Sequence, residues 1–208
     1  MSPSRKSPLV RLATAADLAS LPAIEQSAAE AFRGAGVSLN GDISASPADT
    51  WRPALRGGTL WVAANDAGRV VGFLAARRIN RVLHIDEMDV AFDHQRRGFG
   101  RALLDAAIGW ARKAGLREIT LTTFRQLAFN RDFYAAAGFA EIAPEHMSER
   151  MAAVIAREAG YGLDPKQRCA MALRLRAAKQ PMPASHARPD QRPTRGCSPS
   201  QGRGRRPS

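Results

Sequence analysis

Four ionisable residues, His84, Asp86, Glu87 and Asp89, fall within six positions of a segment, 81–90, whose remaining residues read as a β-strand. Charged groups are costly among apolar neighbours, so this strand has to border a polar cleft. Each of the four can accept a proton, which is the work of a general base. Strand alternation puts His84 and Asp86 on one face and Glu87 and Asp89 on the other, unless a bulge intervenes. Parity does not choose among them.

A second cluster follows directly. Gln95-Arg96-Arg97-Gly98-Phe99-Gly100-Arg101 lies between the end of that strand and the start of a helix. Glycines let a backbone approach a ligand closely, and the free N–H groups of a first helical turn converge on an anion. Arg96, Arg97 and Arg101 add positive charge beside those amides, so a pyrophosphate suits the segment. It is not a dinucleotide fingerprint, because Leu103 stands where the third glycine belongs. It is not a P-loop either, since Gly-Lys-Ser/Thr is absent.

The elements needed to position these groups can be read from periodicity. Residues 9–12 form a short apolar strand, followed by Thr14 as helix N-cap, Asp17 in the first turn, and Leu18, Leu21, Ile24 and Glu25 at helical spacing. Residues 32–54 mix Gly, Asn, Asp, Ser and Pro around Val37, Leu39, Ile43 and Trp51, which predicts a loop or broken helices near the surface. Two β-rich runs, 59–64 and 69–76, flank Asn65-Asp66-Ala67-Gly68, a hairpin turn. Phe99, Leu103, Ala106, Ala107 and Trp110 make 98–114 an amphipathic helix stopped by Gly115. A buried strand at 118–122, a helix at 129–137 ended by Gly138, a strand at 139–142, a helix at 148–159 and a last strand at 169–175 complete the order. Hairpins come first and a strand, helix, strand crossover later. No internal repeat is present.

The chain has 208 residues and a formal net charge of +12, with 31 Lys and Arg against 19 Asp and Glu. A hydrophobic fraction of 45% supplies a buried core. No apolar run is long enough to cross a bilayer, and residues 1–8 are polar and read as a flexible N-terminus, which predicts a cytoplasmic protein without a membrane partner. Cys169 and Cys197 cannot build a disulfide framework, and no Cys/His cluster has the spacing of a metal site. The segment 176–208 holds eight Lys/Arg against the single acid Asp190, and six of the 13 prolines. With almost no large apolar residue it cannot recover its ordering entropy, so a disordered basic tail is expected. It lacks aromatic residues to stack on bases, which argues against a nucleic-acid arm.

The pattern Gln95-x-x-Gly98-x-Gly100, whose first glycine comes eight residues after Val90, resembles the acyl-CoA-binding signature of the GNAT superfamily of N-acetyltransferases. A buried strand at 119–122, then Phe133-Tyr134 and Ala137-Gly138-Phe139, is similar to the superfamily's closing helix and its Tyr-x-x-x-Gly-Phe ending. The resemblance covers 9–175 as a single domain, most specifically 86–139. It implies a mixed α/β (α+β) fold with a mostly antiparallel central sheet splayed at strands 4 and 5 and helices on both faces. Acetyl-CoA would lie in the splay as co-substrate, with no metal. Backbone groups of Met88, Asp89 and Val90 would hold the pantetheine arm and thioester. Gln95, Arg96, Arg97, Gly98, Phe99, Gly100 and Arg101 would hold the pyrophosphate. Many members carry an asparagine seven residues before the tyrosine, where this chain has Leu127; Asn130, four before Tyr134, takes over a pantetheine contact on this reading.

The activity implied is acetyl transfer to a primary amine by direct attack in a ternary complex. The ammonium form cannot attack a carbonyl, so a base is needed, and the resemblance offers Asp86, His84 or Glu87. Tyr134 would protonate the departing thiolate; without the resemblance it reads equally well as a core aromatic beside Phe133. Cys169 has no evident base and reads as a core thiol. The acceptor, a small molecule or a protein N-terminus, would meet residues 32–51 and helix 148–159. Those segments offer Asp42, Asp49, Glu145 and Glu149 but also Arg33, Arg150 and Arg157. A homodimer is compatible with this reading. The competing reading is a non-catalytic CoA-binding or nucleic-acid-associated module that uses its basic tail.

Overall fold

The computed structural model describes residues 8–34 and 45–175. Apart from Pro8, the two terminal segments expected to be unstructured lie outside the described residues, as do Val37, Leu39, Asp42 and Ile43. In chain order the elements are β1 (Leu9–Leu12), α1 (Leu21–Ala28), α2 (Glu30–Gly34), α3 (Arg52–Arg56), β2 (Leu60–Ala64), β3 (Val70–Ile79), β4 (Val82–Val90), α4 (Phe99–Lys113), β5 (Glu118–Phe124), α5 (Ala128–Ala136), β6 (Ala140–Glu141), α6 (Glu149–Ala159) and β7 (Arg168–Arg174). Short 3-10 turns join several of them.

The strands form one seven-stranded sheet in the order β1-β2-β3-β4-β5-β7-β6. Every pairing is antiparallel except β4 with β5. That parallel pair is joined through α4, the crossover that two parallel strands require. The β2–β3 hairpin closes on Asn65, whose side-chain oxygen accepts from the N–H groups of Ala67 and Arg69 while Gly68 adopts φ +76°.

Two apolar clusters cover the two faces of the sheet. On one face α4 buries Leu103, Leu104, Ala107, Ile108 and Ala111 against Trp61, Leu74, Leu83, Ile85 and Ile119. Each fully buried leucine there contributes about 1.5–3 kcal/mol. On the other face Leu18, Leu21, Ile24, Trp51 and Ala54 cover Leu60, Val62, Phe73 and Ala75. The mixed, mostly antiparallel sheet with helices on both faces agrees with the sequence reading.

Several local expectations are corrected. The helix expected after Thr14 begins as a 3-10 turn, Ala15–Ser20, and turns α-helical only at Leu21. Pro22 has no N–H to donate into a preceding turn but is tolerated in a first turn, so the α-helix restarts around it. The broken helices expected within 32–54 are present as two short helical pieces over 48–56, but Trp51 is buried rather than near the surface, its ring 5.5 Å from Phe73. β5 runs two residues further than expected, to Phe124, and β6 shrinks to two residues.

Candidate active site

The site is built around an irregularity in β4. In the β3–β4 ladder Ala75 faces Glu87 and Ala76 faces Ile85, so Asp86 is an extra residue without a partner of its own. Before this bulge Leu83 and Ile85 point into the α4-side core; after it, Met88 and Val90 do. The three-residue step from Ile85 to Met88 reverses the parity. His84, Glu87 and Asp89 therefore share the opposite face, where Asp86 also bonds Arg77, the cross-strand partner of His84. The alternation that divides the four residues two and two is broken by the bulge.

The four are held differently. Asp86 is gripped by Arg77, with Nε 2.8 and 2.9 Å and Nη2 2.6 Å from its carboxylate oxygens. This pairing raises the Arg77 pKa. His84 is 2% exposed, and its Nδ1 lies 3.0 Å from the Thr120 hydroxyl. Burial, reinforced by Arg150 and Arg77, lowers its pKa to about 4, against a smaller opposing pull from Asp86. Glu87 is half-buried and makes no side-chain ion pair among the described residues. Burial, with the Glu25 carboxylate of α1 nearby, pushes its pKa up to about 7. Asp89 is raised well above the usual carboxylate range by burial and then by Glu87 and Glu25. Glu25 itself accepts from the Ser46 N–H and hydroxyl at 3.0 and 2.9 Å.

Beside this acidic cleft the sheet opens. β4 and β5 pair only at Val82–Glu118, Leu83–Ile119 and His84–Thr120, after which β4 runs on to Val90 and β5 to Phe124 without contact in the ladder. The Ala91 N–H donates to Val71, so alternation turns the peptides of 87, 89 and 91 towards β3 and those of Met88 and Val90 towards the gap. The Val90 carbonyl is taken by Gln95 Nε2 at 3.0 Å, which ties the start of the cradle to the end of the strand.

The cradle turns sharply. Arg96 and Gly98 have φ +58° and +93°, and α4 starts at Phe99 with no side-chain cap and no acid in its first turn. Its leading N–H groups are thus left for an external acceptor. At Gly98 the positive φ is the constraint, because a Cβ there would meet open space. A Cβ on Gly100 would make ordinary contacts with Phe133 and Val90, so the fold does not demand this glycine. Arg96 and Arg97 are exposed, and Arg101 pairs with Asp105 at 3.0 Å along α4.

Across the gap, α5 carries Asn130 and Tyr134 one turn apart, hence on one face. Tyr134 is 9% exposed, with ring contacts to Phe133 and Phe139 at 5.2 and 5.8 Å. Burial, with Glu87 and Asp89 adding to it, raises its pKa, so it keeps its proton. Its hydroxyl has no hydrogen-bond partner among the described residues.

The sequence matches the model of the Acetyltransferase (GNAT) family over residues 22–139, more than half of the chain. The chain belongs to the GNAT family. Solved structures share its fold. A GNAT-family acetyltransferase from Staphylococcus aureus is 16% identical, with a TM-score of 0.61 over 81% of this chain and 99% of that one. The ribosomal-protein-S18-alanine N-acetyltransferase of Escherichia coli is 17% identical, with a TM-score of 0.57 over 81% and 94%. Rv2747 from Mycobacterium tuberculosis, solved in complex with CoA and NLQ, is 23% identical, with a TM-score of 0.58 over 81% and 99%. At these identities the likeness is one of fold.

Within this GNAT chain some residues at the site carry no sequence signal. Gly72 on β3 lies so close to β4 that a Cβ there would sit 2.9 Å from the Asp89 carbonyl and 3.1 Å from Val90 Cγ2. Arg168 bonds Glu158 at 2.9 and 3.1 Å and Thr122 at 3.2 Å, with its guanidinium 4.6 Å from the Phe124 ring centre. Glu25 has the helical spacing of a core residue and turns out to face β4. Conversely, Asp49 pairs with Arg52 at 2.7 Å, and Glu145 lies 3.8 Å from His146 at the exposed surface. The cleft acids are Glu25, Glu87 and Asp89, rather than Asp49 and Glu145.

Proposed function

We propose that this GNAT protein is an acetyl-CoA-dependent N-acetyltransferase, acting on a primary amine by direct attack in a ternary complex, with 9–175 as its catalytic domain. The observation that carries the reading is the arrangement around the splay. A half-buried Glu87 raised to about 7 lies on one face, Tyr134 belongs to the other, and an uncapped helix start stands at the end of β4.

The cradle suits the diphosphate of acetyl-CoA. The α4 N–H groups, Arg96 and Arg97 would neutralise it, and Gly98 and Gly100 would leave room for its approach. The gap-facing peptides of Met88 and Val90 suit the pantetheine arm, with Asn130 on the α5 side. A Met88 or Val90 N–H could polarise the acetyl carbonyl.

For the proton from the amine we assign Glu87. A base works best with a pKa near the operating pH, which favours Glu87 over His84 at about 4. Asp86 is committed to Arg77. The Glu25 carboxylate adds negative charge that attracts the incoming ammonium. Glu87 takes a proton from the ammonium, the amine attacks the thioester carbonyl and the C–S bond breaks. Tyr134 gives its proton to the departing sulfur and is reprotonated by the second proton that nitrogen loses as the amide forms. Cys169 lies within the core and carries no acyl group in this scheme. Thiol release from acetyl-CoA across an amine panel tests the proposal. Amine-dependent release is expected, and its absence from folded protein with every amine would overturn it.

A further inference from the structure

β3 and α6 line a second cavity, of about 190 Å³, formed by Arg77, Ile79, Arg150, Ala153, Val154 and Arg157. The four α6 residues follow the i, i+3, i+4, i+7 spacing of one helix stripe. Arg77 is neutralised by Asp86, but Arg150 and Arg157 bring two further guanidinium groups to this small cavity, and these repel each other unless an anion joins them. Neither nearby acid pairs with Arg150 or Arg157: Asp86 holds Arg77, and Glu158 holds Arg168 and accepts from Thr122. Arg150 donates through Nη2 to the Thr120 hydroxyl at 3.3 Å, while its Nη1 is buried without a partner. An unmade hydrogen bond at a buried polar atom is costly, so this donor calls for an acceptor. Arg157 is exposed and has no ion pair among the described residues.

The cavity adjoins the candidate site through shared groups. Arg77 is the cross-strand neighbour of His84 and the clamp on Asp86. Arg150 reaches the same Thr120 hydroxyl that His84 touches. Resting on the acetyl-transfer reading above, we propose that this cavity is an oxyanion subsite for a carboxylate of the acceptor, which makes the acceptor class an amine that also bears a carboxylate, as in an amino acid. With Arg77 already neutralised by Asp86, the positive charge left is that of Arg150 and Arg157. The planar carboxylate matches a guanidinium fork and supplies the acceptor that Arg150 Nη1 lacks. The carboxylates of Glu25 and Glu87 attract the amine end, so the two charges of such an acceptor are met by opposite charges on one face of the sheet.

Two arms test this on the full chain. In the first, arginine modification by phenylglyoxal is mapped by mass spectrometry with glycine and L-alanine, with their amides, or with inorganic phosphate. The free acids are expected to slow modification of Arg150 and Arg157 about tenfold, with the amides doing nothing. Equal protection by the amides, no protection by the acids, or protection by phosphate alone overturns the proposal. In the second arm, thiol release is compared for each acid and its amide. A preference of about tenfold in kcat/KM for the acid is expected, lost in Arg150→Gln and in Arg157→Gln. Arg157 is exposed, so its variant keeps the test valid if Arg150→Gln fails to fold. Protection by the acids without thiol release from any amine would support the subsite and overturn acetyl transfer. Thiol release with equal use of acid and amide would do the reverse.

Discussion

Arg77 holds Asp86 through three hydrogen bonds of 2.6–2.9 Å at the point where β4 takes its extra residue. The clamp fixes the bulge, and the bulge puts His84, Glu87 and Asp89 on one face of the sheet. On the proposed function, Asp86 is a positioning group and Glu87 the carboxylate that takes the proton.

Glu87→Gln should lower kcat about 10²–10³-fold, in the range expected when a general base is lost. In the wild type the rate should rise with pH through about 7, as Glu87 deprotonates, and that limb should disappear in the variant. Asp86→Asn should keep the limb while losing about 1–2 kcal/mol of stability, discounted because Arg77 is partly exposed. A pH profile that loses its limb in Asp86→Asn but not in Glu87→Gln would exchange the two roles. Because folding raises the Glu87 pKa, its ionisation weakens the fold as pH climbs from about 4 to 7. Glu87→Gln should accordingly melt higher than wild type above pH 7.

Tyr134→Phe should reduce kcat about tenfold or more and leave the affinity for acetyl-CoA nearly unchanged. Since burial raises the Tyr134 pKa, no loss of activity from its ionisation is expected below pH 10. A wild-type rate in the folded variant would mark the side chain as packing alone, against Phe133 and Phe139.

Two glycines should fail for different reasons. Gly72→Ala places a Cβ 2.9 Å from the Asp89 carbonyl and must push β3 from β4, at about 1–3 kcal/mol. Gly98→Ala has open space around it and pays only for its φ of +93°, about 1–2 kcal/mol. Denaturant unfolding measures both. Only Gly72→Ala should also disturb catalysis through β4, because Asp89 and Val90 move with the strand.

Asp17 joins β1 to the turn before α1. Its carboxylate accepts from Arg11 at 2.7 and 2.8 Å and from the Thr14 N–H and hydroxyl at 2.7 and 2.8 Å, which holds its pKa well below the usual carboxylate range. That stabilisation is complete above the unfolded value of about 3.9 and is lost as pH falls further, through the folded value. Asp17→Asn should cost about 1–2 kcal/mol at neutral pH, because Arg11 remains exposed, and the gap to wild type should close in acid. Thermal melts between neutral and acid pH follow this directly, and a constant gap would contradict it.

Most of the architecture could be read in advance because each feature has a local cause. Asn65 to Gly68 supplies its own hairpin turn, and the α4 stripe repeats at three and four residues. Gln95 to Gly100 combines a strand end, glycines and a helix start. What escaped the reading depends on neighbours across the sheet. Nothing in the composition of 81–90 marks Asp86 as the bulged residue, since its extra place exists only against Ala75 and Ala76. Gly72 is needed because of where the Asp89 carbonyl passes. Glu25 sits at a core spacing yet faces β4, where burial and then the carboxylates of Glu25 and Asp86 raise the pKa of Glu87.

Titration calorimetry of coenzyme A against wild type, Gly100→Ala and Gly100→Asp tests the assignment of the α4 cradle most directly. A Cβ at this position makes only ordinary contacts, 3.6 Å or more from Phe133 and Val90, so both variants should fold. The account predicts binding by wild type, a modest loss in Gly100→Ala and a loss of about a hundredfold in Gly100→Asp, whose charge would face the diphosphate. Equal affinity in wild type and Gly100→Asp, or no heat with wild type, would contradict it.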